Sequence, residues 1–240
     1  MEKSGQISIN AKRSSKILVA LILAVILVLS IVFITIQLQR VSPTTRHVYP
    51  GQSIQDAIDS ASPGDTIIVH EGEYHQSVVI TKSISLIGDE AILNGTSPSD
   101  LGTTLADAIT IDEGVSGVTI KGFEIMNYSY YGIQAWNNGT SNIEIINNVI
   151  HDMGGTAIVV GNDGTGFHEN WFIHNNTIYK SEIGIYVAHG KNVIISNNIA
   201  EESFWSGIWV GTEPGSTFNS EHIEVIEIQL LMLNMELASM

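Results

Sequence analysis

The sequence predicts an all-β solenoid, a coil of parallel strands with a short capping helix at its start, preceded by one transmembrane helix. Three observations carry this. A motif recurs four times, as VTIKGFEIMNYSYYGIQAW (118–136), IEIINNVIHDMGGTAIVVG (143–161), WFIHNNTIYKSEIGIYVAH (171–189) and VIISNNIAEESFWSGIWVG (193–211). Its steps are short: Asn148 to Asn176 is 28 residues and Asn176 to Asn198 is 22. Repetition at such a period marks a solenoid. The apolar runs within each copy alternate with period two, as strands do. Finally, an uncharged stretch of 20 residues, Ile17 to Ile36, stands ahead of the repeats.

Residues 1–16 form a basic tail, with Lys3, Lys12, Arg13 and Lys16 against Glu2. Residues 17–36 are long enough to cross a hydrocarbon core of about 30 Å. The positive-inside rule leaves the tail in the cytoplasm and the rest outside the cell or in the periplasm. A cleaved signal peptide would have a shorter apolar run that ends in small residues. This run leads instead into IQLQR (36–40), which favours an uncleaved anchor. Residues 37–47 read as a polar stalk and 48–227 as the coil.

Ser53 is placed to N-cap a helix, with Asp56 at its third position. Ile54, Ala57, Ile58 and Ala61 give that helix one apolar face, and Pro63-Gly64 ends it. Its expected job is to cover the open apolar end of the first turn. Thr66–Val69, Val78–Ile80 and residues 84–87 read as the first strands.

Within the repeats, three inward columns follow from the alignment. They are Val118, Ile143, Trp171 and Val193; Ile120, Ile145, Ile173 and Ile195; and Ile133, Ile158, Ile185 and Ile208. Asn148, Asn176 and Asn198 fall at one corner of each turn, where stacked Asn side chains bond rung to rung and satisfy turn backbone. The pattern fails at the end. Residues 221–226 (EHIEVI) open another turn, but a Leu- and Met-rich tail replaces Asn-Asn, so 228–240 read as an atypical end, either a truncation or a cap.

Composition narrows the function. There is no Cys, so disulfides and thiolate metal sites are excluded. Residues 1–46 carry six basic groups and one acid, whereas 47–240 carry four Lys, no Arg and 24 acids, a balance of −20. Such a surface repels nucleic acid and other polyanions.

The stretch SIQDAIDSASPGDTIIVHEGEYHQSVVITKSISLIGDEAILNG (53–95), with the repeats that follow it, resembles right-handed parallel β-helix proteins of the pectin-lyase-like type. Among these it is most similar to the NosD-like, or carbohydrate-binding-and-sugar-hydrolase, repeat proteins of microbial envelopes. The resemblance spans about Val48 to Val225. It implies the fold, but that fold hosts lyases, hydrolases, epimerases, adhesins and accessory proteins. Pectate lyases of the fold use Arg and calcium-binding Asp clusters, and residues 47–240 have no Arg. Polygalacturonase-like members carry paired Asp and a Gly-His-Gly. Here the nearest string is Ala188-His189-Gly190-Lys191, without the acid pair. No catalytic residue carries over.

Stacking turns the repeats into a grid whose outward columns are the candidate sites. Past the Asn corner lie Met126, His151, Tyr179 and Glu201, then Asn127, Asp152, Lys180 and Glu202. A Lys between carboxylates suits a lyase base, and His151 beside Tyr179 suits a base and acid pair. A salt-bridge ladder on an exposed edge explains the same residues. On the second strand, Tyr186 and Trp209 face outward with Trp136 and Trp205 near. They are expected to give two sugar-stacking platforms about 5 Å apart. Asp163 and Glu169, in a Gly-rich insert, offer oxygen ligands of the kind Ca²⁺ takes, but in no known ligand order; no cofactor is expected beyond that.

The resulting expectation is a membrane-anchored β-helix of about seven turns that recognises or scaffolds a surface component, above all a neutral glycan. The alternatives are a polysaccharide lyase, hydrolase or epimerase, and a NosD-like accessory role in metal handling.

Overall fold

The computed structural model describes residues 16, 18–31, 42–96, 104–136, 139–161, 166–211 and 220–231. The chain divides into two compact units, Met1–Ser42 and Pro43–Met240. In the first, residues 18–31 form an α-helix with exposed side chains. Among the described residues no helix is long and apolar enough to cross a membrane. Ile17 and residues 32–36 of the expected span lie outside them.

The second unit is a parallel β-helix. Each full turn lays one strand in each of three parallel sheets. Sheet A takes Thr45–Val48, Thr66–Val69, Ser85–Gly88, Ser116–Lys121, Ser141–Ile146, His168–His174, Gly190–Ser196 and Glu221–Ile226, in that spatial order. Sheet B takes Gly72–Tyr74, Ala91–Asn94, Glu124–Met126, Val149–His151, Thr177–Tyr179, Ile199–Glu201 and Gln229–Leu231. Sheet C takes Val78–Ile80, Ile109–Ile111, Ile133–Ala135, Ile158–Val160, Ile183–Val187 and Ser206–Val210. The expected columns are in register: Ile143 pairs with Val118 and Trp171, and Ile158 with Ile133 and Ile185.

Two boundaries differ from expectation. Thr45–Val48 opens sheet A, so residues 45–47 belong to the coil and not to a stalk. The cause is Asp65, buried in the first turn. It accepts from the backbone N–H of Thr44 (2.8 Å) and of Ser62 (2.9 Å) and pairs with Arg46 (3.5 Å), which fastens the leading strand. At the other end, Gln229–Leu231 continues sheet B beside Ile199–Glu201 although Glu227-Ile228 replaces Asn-Asn. Residues 232–240 lie outside the described residues.

The capping helix is present over Ile54–Ser60. Ser53 Oγ accepts from Asp56 N at 3.0 Å, and Ile54 and Ile58 are fully buried. Gln55 clamps the helix to sheet C, its carbonyl accepting from Val79 N (2.8 Å) and its amide donating to Val79 O (3.2 Å). The first two inward columns are buried throughout. The third is buried at Ile133, Ile158 and Ile185, but Ile208 is only partly buried because it sits on the last strand of sheet C.

The Asn column is an inward ladder. Asn148 Oδ1 accepts from Phe123 N (3.0 Å), Asn176 Oδ1 from Asn148 N (3.0 Å) and Asn198 Oδ1 from Asn176 N (2.9 Å). Their amides donate to Ile120, Ile145 and Ile173 carbonyls. The preceding Asn of each pair has its own role. Asn147, Asn175 and Asn197 sit at φ of 54–55°, the left-handed conformation that Asn tolerates better than most residues. The start of the sheet A strands repeats the device. Asn142, Asn170 and Asn192 are left-handed there and form a second, exposed ladder from Ser116 Oγ, with steps of 3.0, 3.3 and 3.2 Å.

Candidate functional site

Two side-chain clusters sit on either side of the corner that links sheet B to sheet C. The first is built on the expected columns. Sheet B places His151 opposite Met126 and Tyr179, and Tyr179 opposite Glu201. His151 is the centre. Its Nδ1 lies 2.7 Å from Asp152 Oδ2 and its Nε2 3.0 Å from Glu124 Oε1, while Tyr179 stacks on its face at 4.5 Å and 5°. The ring is buried, so two carboxylates and a phenol ring hold it on three sides. Glu124 was not legible as a partner, because Gly122-Phe123 stands where its turn would carry Asn-Asn.

Asp152 also meets Lys180 Nζ at 3.6 Å. The His151 hydrogen bond, then Lys180, hold its carboxyl below the usual range despite some burial. Burial raises the Tyr179 phenol, helped by Glu124 and Asp152. Asp152, Lys180 and Glu202 share one further feature, a left-handed φ of 50–52°. They form a column of backbone corners as well as of charge.

The second cluster lies on sheet C. The outward pair Tyr186 and Trp209 is in register and the column continues into two further turns: Gln134 pairs with Val159, Val159 with Tyr186, and Tyr186 with Trp209. Gln134 and Val159 are buried, so only the Tyr186–Trp209 half is open. Tyr186 and Trp209 meet edge to face, 6.0 Å apart at 86°, which makes a floor and a wall where two parallel platforms were expected. Trp136 stacks instead on Tyr131, at 5.3 Å and 25°. Trp205 is 62% exposed. Tyr131, Trp136, Tyr186, Trp205 and Trp209 line one open hollow of about 240 Å³, with Glu182 at its side. All four expected aromatic residues therefore converge.

Asp107, Tyr131 and Glu182 escaped the sequence reading. Each occupies the turn that leads into a strand of sheet C, and the sequence between Asn94 and Asp107 departs from the repeat motif, which hides the period there. Burial raises the Asp107 carboxyl, although Tyr131 N (3.2 Å) and Gln134 donate to it. Burial, then the carboxylates of Asp107 and Glu182, push the Tyr131 phenol up, which keeps it a neutral donor. A neighbouring hollow of about 500 Å³ contains Lys180, Glu202 and Phe204 and shares Glu182 and Trp205 with the first. The charged and aromatic clusters thus meet at one corner.

The remaining candidates do not assemble. Asp163 lies outside the described residues. Glu169 stands in sheet A between Ser141 and Lys191. Among the described residues, no group of three or more His, Asp or Glu is placed to hold a metal.

A family model for the right handed beta helix region matches residues 104–229. Three solved structures match the chain, two of them with a TM-score above 0.5. The A-module of the mannuronan C-5 epimerase AlgE4 of Azotobacter vinelandii is 18% identical, with a TM-score of 0.51 over 74% of this chain and 64% of that module. A provisionally assigned glycosyl hydrolase of Parabacteroides merdae is 12% identical, with a TM-score of 0.52 over 76% of this chain and 91% of its own. An alginate lyase of Paenibacillus is 14% identical, with a TM-score of 0.47 over 79% and 76%. No curated protein matches the sequence. The family match covers more than half of the 240 residues and falls on the coil whose sheets, corners and Asn ladder are described above: this chain belongs to the right-handed β-helix family.

Proposed function

We propose that this chain is a carbohydrate-active β-helix protein that seats a neutral polysaccharide in the aromatic hollow of sheet C. The observation that carries the reading is the convergence of Tyr131, Trp136, Tyr186, Trp205 and Trp209 around one open hollow beside Glu182. Aromatic faces give sugars an apolar surface, and carboxylates accept hydroxyl hydrogen bonds. The balance of −20 beyond residue 46 works against a polyuronate, since like charges repel more strongly as salt falls. The uncharged span behind the basic tail holds the coil outside the membrane.

A catalytic form of this reading, as a lyase, hydrolase or epimerase, has its own support. Lys180 and Glu202 line the neighbouring hollow, which shares Glu182 with the aromatic one and lies next to the Asp152–His151–Tyr179 cluster. Two of the solved structures above, the epimerase module and the provisionally assigned glycosyl hydrolase, are by name carbohydrate-active enzymes. The test is affinity electrophoresis of the full chain against neutral glucans, mannans and galactans and against polyuronates, with release of reducing ends and unsaturated products followed in parallel. Retardation by a neutral polymer, lost in Trp209→Ala and Tyr186→Ala, supports the site. Product release lost in Lys180→Met or Glu182→Gln adds catalysis. Neither retardation nor turnover on any polymer overturns the reading.

A further inference from the structure

A third cluster lies at the first turns of sheet A, away from both hollows. His47, on the leading strand, and His70, just past the next strand, face each other with His47 Nδ1 2.8 Å from His70 Nε2. Their rings are nearly parallel, at 8°, with centroids 5.1 Å apart. That separation is the N···N distance plus about one ring radius at each end, so the rings are coplanar and meet edge to edge. Asp89, one turn on, takes the other side of His70, with Nδ1 3.1 Å from Asp89 Oδ2. Tyr49 stacks on the His70 face at 4.5 Å and 12°. His70 is therefore fixed at its edge and over its face, whereas His47 and Tyr49 are exposed.

The hydrogen-bond roles follow from Asp89. An ionised carboxylate only accepts, so His70 Nδ1 carries the hydrogen and His70 Nε2 presents a lone pair. His47 Nδ1 then donates to it. A carboxylate behind a histidine, with the far nitrogen left bare, is the outer-sphere arrangement that orients metal-binding imidazoles. We propose that His47 Nδ1 and His70 Nε2 bind one divalent transition-metal ion of the class that favours imidazole, such as Zn²⁺ or Cu²⁺. The ion takes the place of the hydrogen between the two nitrogens, and His47 carries its hydrogen on Nε2 instead, so no proton is lost. Metal–nitrogen distances of about 2.0–2.1 Å at a tetrahedral angle require the nitrogens to open by roughly 0.5 Å and each ring to swing in its plane by about 35°, so that both lone pairs point at the ion. The exposed His47 side chain is free to supply most of that movement. Two protein ligands leave the other positions to water or to an exogenous donor. This inference is independent of the polysaccharide reading, which uses neither histidine.

The test is isothermal titration of the full chain with Zn²⁺ alone, and with Cu²⁺ alone followed by electron paramagnetic resonance. The expected result is one saturable equivalent with two nitrogen donors on Cu²⁺. His47→Ala and His70→Ala should each abolish it. Asp89→Asn should weaken it about 10–100-fold, as loss of an outer-sphere partner does. His222→Ala, a change in sheet A's last strand, should leave it intact. Absence of saturable binding, or an affinity unchanged in His47→Ala, overturns the proposal. Because His47 is exposed, that variant keeps the test decisive even if His70→Ala disturbs the fold.

Discussion

Replacing Asn176 by Ala tests the physical account of the coil most directly. The Asn176 side chain makes five hydrogen bonds. Oδ1 accepts from the backbone N–H and the amide of Asn148, both at 3.0 Å; Nδ2 donates to Ile145 O (2.9 Å), His174 O (3.2 Å) and Asn198 Oδ1 (3.0 Å). Some partners keep another bond: the Asn148 amide still has Ile120 O, and Asn198 Oδ1 still has Asn176 N. The buried Asn148 N–H loses its acceptor, and the Ile145 carbonyl loses a donor. At about 1–3 kcal/mol for each of these two buried groups, the loss is about 2–6 kcal/mol. Asn176 has no left-handed φ, so Ala adds no backbone strain there. The control is Asn142→Gly, which removes a rung of the exposed ladder while permitting its φ of 54°, and should stay within about 0.5 kcal/mol. Urea denaturation of the full chain, followed by far-UV circular dichroism, reads both. If Asn176→Ala costs under about 1 kcal/mol, the ladder is a consequence of the fold and not one of its supports.

Three further outcomes follow from the packing and electrostatics. Gly184→Ala should cost about 1–3 kcal/mol in the same assay, because its Cβ would run into the Gly207 carbonyl oxygen; a neutral result would refute that close approach. Ile185→Ala, fully buried, should cost about 2–5 kcal/mol, whereas Trp209→Ala, with Trp209 44% exposed, should cost far less and lose glycan binding; equal costs would make the aromatic wall a packing element. Burial, then the neighbouring His189, lower the His168 imidazole from the ordinary 6.5 to about 4. The unfolded chain therefore takes up the proton first, and this contribution to stability is complete above about pH 6.5 and declines as pH falls toward about 4. Denaturation midpoints between pH 7 and 4.5 should fall for the wild type and flatten for His168→Gln; parallel curves would refute the assignment.

The coil was legible because its physics is periodic. Inward Ile and Val, a corner Asn and a small residue before sheet C each recur once per turn, so alignment of four segments fixes their stacking. What stayed hidden lacks that period. His47, His70 and Asp89 come together only through the register of the first turns, where no Asn-Asn motif marks the corner. Asp107 follows a stretch of sequence that departs from the repeat motif and breaks the spacing. The column of Asp152, Lys180 and Glu202 was visible as charge, but charge was half its meaning. Those residues also turn the backbone through a left-handed corner, which no side-chain pattern announces. Ile208 matched its column by alignment, yet burial depends on the turn that follows, and its strand is the last of sheet C.

The Asn ladder has a direction. Asn148, Asn176 and Asn198 each accept from, and donate to, backbone groups of the turn before their own. A corner is thus completed only when its successor is in place. Each corner therefore depends on the turn above it: stripping turns from the end opposite the capping helix would leave the corner beneath with an unmet backbone N–H and carbonyl, whereas the capped end has no such debt.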